Sequence, residues 1–317
     1  MSTAMDQPDR LASDPREQSV QAPAVFTSPS AKGVASRQPL LTVEGLAGWL
    51  HHLGEPEPQE PSVVTIGHFD GVHRGHRALI GTALDQRDSN HTRVGVVTFD
   101  RHPLSLLAPA REPKALTVLE DKVSHLLGCG VDFIAVLTLS KALLRRQPEQ
   151  FVDEFLLGGL GARTVVVGPN FRFGHKAAGD TVRLGELGND RGFEVRLPEL
   201  TRRDDEVVSS TRIRAAIASG RVVDAAGLLG RPHAVRGVVA GSSGRRVVVS
   251  VPGNVALPTT GTLTGFLTSG LRADVQFGEV SLKVAGQQLL AVLESTEGGP
   301  ADGEEVLVHL TQELSGR

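Results

Sequence analysis

Between residues 62 and 200, short runs of β-branched and apolar residues alternate with longer segments whose apolar positions recur at helical spacing. The runs Ser62–Ile66 (SVVTI), Arg93–Phe99 (RVGVVTF), Phe133–Leu137 (FIAVL), Thr164–Val167 (TVVV) and Phe193–Leu197 (FEVRL) predict strands buried on both faces. Between them the spacing predicts helices beginning around Ala78, at Thr117–Leu127, at Gln147–Leu157 and near Thr181–Leu187. Thr117 with Glu120 reads as a capping box, and Phe151, Phe155 and Leu156 as the apolar side of the third helix. Strands separated by helix-length segments make βαβ units and a parallel sheet, whose ligands bind beyond the carboxyl ends of the strands. The expected fold class is therefore α/β.

The pattern changes after Arg212. Ile213–Ser219 and Val222–Leu229 read as two short helices joined at Gly220. From Val235 onward, short alternating segments (RGVVAG, RRVVVSV, TLTGFLT, ADVQFG, VSLKV, LLAVLE, EVLVHL) are separated by Gly and Ser turns, the mark of a small antiparallel barrel or sandwich. At the other end, residues 1–45 are rich in Ser, Ala, Gln and Pro without a period and read as a disordered tail. Leu46–Leu53 (LAGWLHHL) reads as a short helix seating Trp49. The division expected is thus a tail at 1–45, an α/β domain at 46–230 and a barrel at 231–317.

Composition narrows the function classes. Lys+Arg 33 against Asp+Glu 36 leaves a net charge of −3, so no global basic field points to nucleic acid. The single Cys129 excludes an internal disulfide framework and a cysteine-built zinc cluster. No basic-then-apolar leader and no membrane-length apolar run are visible, so the expectation is a soluble cytoplasmic protein.

The candidate chemistry collects at the strand ends. Gly67, Gly71 and Gly75 surround His73 and His76 where the first strand turns into its helix. Such a turn aims free N–H groups and the positive helix end at one point and favours phosphate; two imidazoles there donate further hydrogen bonds. Asp100, His102 and Pro103 follow the second strand, where the plain alternative is a turn fixed by proline. Gly168–Gly174 (GPNFRFG) follows the fourth; Asn170, Phe171 and Phe173 suit a flat heterocycle, the alternative being two core phenylalanines. Ser209, Ser210 and Thr211 precede a helix bearing Arg212 and Arg214, either as N-caps or as a second phosphate site. No third ligand at a recognisable spacing supports a protein-built metal centre.

GHFDGVHRGH, TFDRHP, GPNFRFG, SSTRIR and LLGRPH, in that order over residues 62–236, resemble the FMN adenylyltransferase module of bacterial bifunctional riboflavin kinase/FAD synthetases. The resemblance implies a Rossmann-like nucleotidyltransferase sheet and transfer of AMP from ATP to FMN, with Mg²⁺ accompanying ATP. It implies that His73 and His76 stabilise the transferring α-phosphoryl group. Gly67, Phe69, Asp70, Gly71, Gly75, Ser209, Ser210, Thr211 and Arg214 would serve the nucleotide. Asp100, His102, Pro103, Asn170, Phe171, Phe173 and Gly174 would face the flavin. His68 departs from the family, which usually has Asn there.

The second domain departs further. Gly241–Arg246 (GSSGRR) leads to Pro252, Gly253, Asn254 and Val255 where the family's kinase barrel carries Pro-Thr-Ala-Asn, and Glu294 and Glu305 are isolated candidates for its catalytic Glu. The expectation is a degenerate barrel without kinase activity. The other readings open at this point are a bifunctional enzyme, a transferase acting on a flavin analogue or another phosphorylated acceptor, and a non-catalytic flavin-nucleotide-binding protein. Oligomeric state is left open.

Overall fold

The computed structural model describes residues 24–27, 61–88, 92–259, 261–271, 275–295 and 298–313. The helix expected at Leu46–Leu53, with Trp49, lies outside the described residues, as does the N-terminal segment apart from Ala24–Thr27.

Six strands form the first sheet: β1 (Ala24–Thr27), β2 (Ser62–Ile66), β3 (Arg93–Phe99), β4 (Phe133–Leu137), β5 (Ala162–Val166) and β6 (Glu194–Arg196), in the order β1-β4-β3-β2-β5-β6. β2 to β6 are mutually parallel, and β1 adds antiparallel to the open edge of β4. Every residue of β2 and β4 is buried, which is why their sequences are apolar without alternation. The chain leaves β2 towards β3 and β4, then returns to place β5 and β6 on its other side. The end of β2 is therefore the topological switch point of the sheet.

Helices α1 (Arg74–Asp85) and α2 (Leu119–Leu127) cover one face, packing Ile80, Ala83, Val123 and Leu126 against Val63, Val94 and Ile134. The other face is covered by α3 (Thr181–Arg191) and by the segment before β5. One helical expectation needs correction, and a second, which holds, gains detail. Thr117 caps nothing: α2 starts at Leu119 after an uncapped Val118, and the Thr117 hydroxyl accepts a hydrogen bond from Gly71 N–H instead. The segment expected as a helix over Gln147–Leu157 opens with a short turn at Pro148–Gln150, where Gln147 and Gln150 form a capping box. It then runs as a π-helix over Phe151–Gly159. The wider turn lets Phe151, Val152, Phe155 and Leu156 all reach the core.

A two-residue-strand hairpin, β7 (Arg202–Arg203) with β8 (Glu206–Val207), leads to α4 (Ser210–Ala218) and α5 (Val222–Leu229). Six antiparallel strands then close into a barrel: β9 (His233–Ser243), β10 (Arg246–Ser250), β11 (Thr262–Ser269), β12 (Gln276–Ala285), β13 (Gln288–Leu293) and β14 (Glu305–Glu313). Gln276–Gly278 of ADVQFG and all of VSLKV, which the alternation separates, belong to the single strand β12. Gly278, at φ +119°, lies where the β11–β12 register slips, and this bulge interrupts the period without ending the strand. The barrel interior is filled by Val235, Val249, Leu263, Leu267, Leu289 and Val308, and Val222 of α5 joins that core.

The barrel is fastened to the sheet domain by charge. Arg236 of β9 reaches Asp121 of α2 at 2.5 Å, Glu305 at 3.1 Å and the Gly270 carbonyl at 2.9 Å. Asp121 is largely buried by this contact, so its removal leaves a guanidinium short of a partner in a poorly solvated place. Asp121→Asn is expected to lower stability by about 1–3 kcal/mol, discounted for the partial exposure of Arg236. Calorimetric melting should register this as a lower Tm, with Asp121→Glu retaining more of it; an unchanged Tm for Asp121→Asn would show that the pair contributes nothing.

Candidate active site

The turn after β2 is built against the backbone's own preference. Phe69 sits at φ 53° and Val72 at φ 38°, positions that L side chains rarely occupy, with Gly71 at φ 83° between them. Burial holds them there: Phe69 and Val72 are fully buried in the core under α1. A Cβ on Gly71 would lie 2.8 Å from Leu116, so both the dihedral and the space require glycine. Phe69 is thus a strut beneath the site rather than a ligand surface, and its ring meets His76 edge-on at 5.1 Å.

Asp70 holds this turn to two other segments. Its Oδ1 accepts from the N–H groups of Leu116 at 2.9 Å and Thr117 at 3.3 Å, while Oδ2 takes the Arg214 guanidinium at 2.7 Å. The Asp70 carbonyl accepts from the Ser210 hydroxyl at 2.9 Å. Arg231 donates to the carbonyls of Gly71 and Val72. The two phosphate-type turns read separately from sequence are therefore joined: Asp70 of the β2 turn takes Ser210 of α4 at its carbonyl and Arg214, further along α4, at its buried carboxylate.

His73 caps α1: its Nδ1 accepts from His76 N–H at 3.2 Å. The rings of His73 and His76 stack at 3.6 Å, and Gly75 lets them do so, because a Cβ there would meet the His73 ring at 3.2 Å. Burial, helped by Arg231, pushes His73 down to about 4, and burial holds His76 well below the usual histidine range. Both rings are neutral at pH 7. With Nδ1 of His73 accepting, its proton resides on Nε2, available to donate.

The remaining expected residues divide. Ser209 caps α4 by accepting from Arg212 N–H, and Thr211 is exposed on the first turn of that helix. Gly67 N–H donates to Val97, holding the start of the turn to β3. Asp100 is occupied structurally, Oδ1 taking Leu139 N–H and Oδ2 Arg101. His102 accepts from Leu104 N–H through Nδ1, and its ring stands at 88° to that of His68 at 4.9 Å; Pro103 opens the short helix Leu104–Leu107. On the far side of β2, Phe173 is buried against Phe151, with Phe171 half-buried and stacked on it at 5.4 Å. The alternative of core phenylalanines thus describes Phe173, while Asn170 is exposed and Gly174 turns the chain at φ 75° against Pro148.

A cleft opens between the β2 turn and the loop after β3, and several of its residues are not among the expected site residues: His68, Glu112, Lys122 and, from the barrel, Asn254. Lys122 is buried, pushed down to about 8 by that burial, and donates to the carbonyls of Phe99 at 2.6 Å and His68 at 3.3 Å. One signal could have found it, since Lys122 falls on the apolar stripe Leu119, Val123, Leu126 of α2. His68 Nδ1 is buried without a partner, and burial with nearby Lys122 pushes that ring down to about 3.

The family model described as FAD synthetase matches residues 55–212. The chain is 34% identical over 209 residues to the bifunctional riboflavin kinase/FMN adenylyltransferase of Escherichia coli K12, covering 66% of each protein. The chain belongs to the FAD synthetase family. The namesake of Bacillus subtilis 168 is 33% identical over 209 residues, or 65% of each chain. These matches span slightly less than two thirds of the relatives' own length. In three dimensions, a crystal structure titled a macrolide-efflux protein from Streptococcus pneumoniae superposes with a TM-score of 0.69. It covers 82% of this chain and 95% of its own at 22% identity, a likeness of fold alone. The parallel α/β sheet followed by an antiparallel barrel, expected from the sequence, is the architecture seen here.

The neutral histidines of this FAD synthetase-family chain set its acid sensitivity. His73, His125, His233 and His309 are each pushed by burial from 6.5 to about 4. Between these values the unfolded chain binds protons that the folded chain refuses, so stability falls as pH drops from 6.5 towards 4. Thermal melts at about pH 7.5 and pH 5 are expected to show a clearly lower Tm at the acid end; equal values would mean that the rings are protonated in the folded state.

Proposed function

We propose that the protein is an FMN adenylyltransferase, joining AMP from ATP to FMN to give FAD and pyrophosphate, and that it has no riboflavin kinase activity. The observation that carries this reading is the stacked, neutral pair His73 and His76 at the N-terminus of α1, on a turn that Asp70 fastens to α4 through Ser210 and Arg214. Such a site favours a polyphosphate, because free N–H groups, the helix dipoles and imidazole donors all present partial positive charge.

The reaction needs positioning more than acid–base work. A phosphate oxygen of FMN attacks the α-phosphorus of ATP, and the bond from that phosphorus to the oxygen bridging to the β-phosphorus breaks. Pyrophosphate leaves with the electron pair, and no proton is taken from the nucleophile. His73, through Nε2–H, and His76 donate to the non-bridging α-oxygens as charge shifts onto the departing oxygen, and the fixed donors cost little reorganisation. Thr211, exposed on the first turn of α4, is the hydroxyl left for the β- and γ-phosphates. Ser210 and Arg214 act one step back, holding Asp70 and with it the turn. The flavin lies on the cleft side, towards Asp100, His102 and Pro103, with Asn170 as a further polar contact.

Magnesium fits as a companion of ATP. Among the described residues no group of three ligating side chains is preassembled. The ion needs none, since phosphate oxygens, water and one or two carboxylates suffice. Glu112 on the cleft wall is the carboxylate that would hold it. Bound there, it would neutralise phosphate charge.

For the kinase, support for absence comes from the barrel. Glu305 is engaged by Arg236, Thr is missing after Pro252, and Gly241–Ser243 and Arg246 are paired residues of β9 and β10 around the Gly244–Arg245 turn. The direct test incubates the protein with ATP, Mg²⁺ and either FMN or riboflavin. FAD should form from FMN, and no FMN from riboflavin; phosphorylated riboflavin would overturn the second half of the proposal. His73→Ala is expected to lower kcat on the order of 10²–10³-fold with an unchanged circular dichroism spectrum.

A further inference from the structure

The loop that would carry the kinase signature is turned towards the other domain. Ala115 N–H donates to the Asn254 carbonyl at 2.6 Å, and Ala256 N–H returns to the Ala115 carbonyl at 2.8 Å, a one-residue parallel bridge between Ala115 and Val255. The Lys114 ammonium adds a hydrogen bond to the Gly253 carbonyl. Beneath the bridge, Val255 belongs to the barrel core, while Ala256 packs with Leu116, Ile213 and Leu229 of the sheet domain. His233 fixes the Ala256 carbonyl from below at 3.0 Å.

The opposite side of the same short segment faces the nucleotide turn. Leu116 and Thr117 donate to Asp70, and Arg214 donates to the Lys114 carbonyl at 2.7 Å. Residues 114–117 are thus held between the barrel loop and the carboxylate that organises the site. The docking uses the backbone of Asn254, leaving its carboxamide for a ligand, and Asn254 lines the cleft with His68, Asp100, His102 and Lys122.

We propose that the barrel loop Pro252–Ala256 is a fixed wall of the transferase cleft and that Asn254 is a binding residue for the flavin phosphate acceptor. This rests on the adenylyltransferase reading above. A carboxamide offers a donor and an acceptor side by side, which complements the N–H and C=O of a flavin's pyrimidine-like edge. The wall across the cleft is the His68–His102 ring pair, whose faces suit a flat heterocycle. In this arrangement the barrel serves adenylyl transfer by completing the acceptor site.

Two measurements on the full-length protein test it. Amide exchange at Ala115 and Ala256 should be as slow as in β strands; exchange at the rate of an open loop overturns the docking. Asn254→Ala should raise KM for FMN about three- to ten-fold, with kcat and KM for ATP within about two-fold of wild type. It should weaken FMN binding, followed by flavin fluorescence without ATP, by the same factor. An unchanged FMN affinity, or an effect falling on ATP instead, overturns the assignment of Asn254. If the wild type binds FMN but makes no FAD, the adenylyltransferase reading fails while the exchange and fluorescence results still judge the wall; if it binds no FMN, the acceptor assignment fails as well.

Discussion

One buried carboxylate carries the site. Asp70 is taken out of water and compensated by two backbone N–H groups and a guanidinium, from segments 46 and 144 residues away in the chain. A buried charge with that many donors is stable; the same charge with any donor removed is costly, so the three segments are bound to one geometry. The strained dihedrals at Phe69 and Val72 persist for the related reason that both side chains are fully buried. Releasing the strain would pull them out of the core under α1, at roughly 1.5–3 kcal/mol each. Polar convergence and apolar anchoring together fix the geometry of the turn.

The same low-polarity surroundings decide protonation. His73 and His76 are stacked, enclosed and close to Arg231, so a charged imidazole is disfavoured. What such neutral rings can offer is an oriented N–H, a state that does not vary with pH around neutrality. Lys122 is the buried cation of the neighbourhood. It spends its hydrogen bonds on the backbone carbonyls of His68 and Phe99, which ties the β2 turn to the end of β3.

The barrel and the sheet domain are joined by contacts that differ in kind. Arg236 with Asp121 and Glu305 is a charge clamp at one place, and the Ala115–Val255 bridge at another is backbone pairing over a small apolar patch. The second contact reaches Asp70 through residues 114–117. A change in the barrel loop is thereby felt in the nucleotide turn without any long-range mechanism, because a single short segment touches both.

Periodicity alone determined the parallel strands β2 to β5, the pair α4 and α5, and the change to an antiparallel barrel, since burial on both faces, on one stripe or on alternate positions leaves a different residue pattern for each. The glycines and histidines of residues 67–76 likewise marked the tight turn between β2 and α1, because few sequences place such residues together at a strand end. Other features belonged to the tertiary structure. The capping reading of Thr117 failed because its hydroxyl had a distant suitor in Gly71 N–H. The π-helical turn at Phe151–Gly159 answers to the core it must fill. Phe173 went to that core and Arg214 to Asp70, choices that a local pattern cannot distinguish from ligand binding. Lys122 carries no motif and Asn254 stands in the departed kinase signature, and they reach the cleft only because the sheet order and the barrel's docking bring them there. Local propensity is written in neighbouring residues, whereas the partner of a buried polar group is settled by whichever segment folding places beside it.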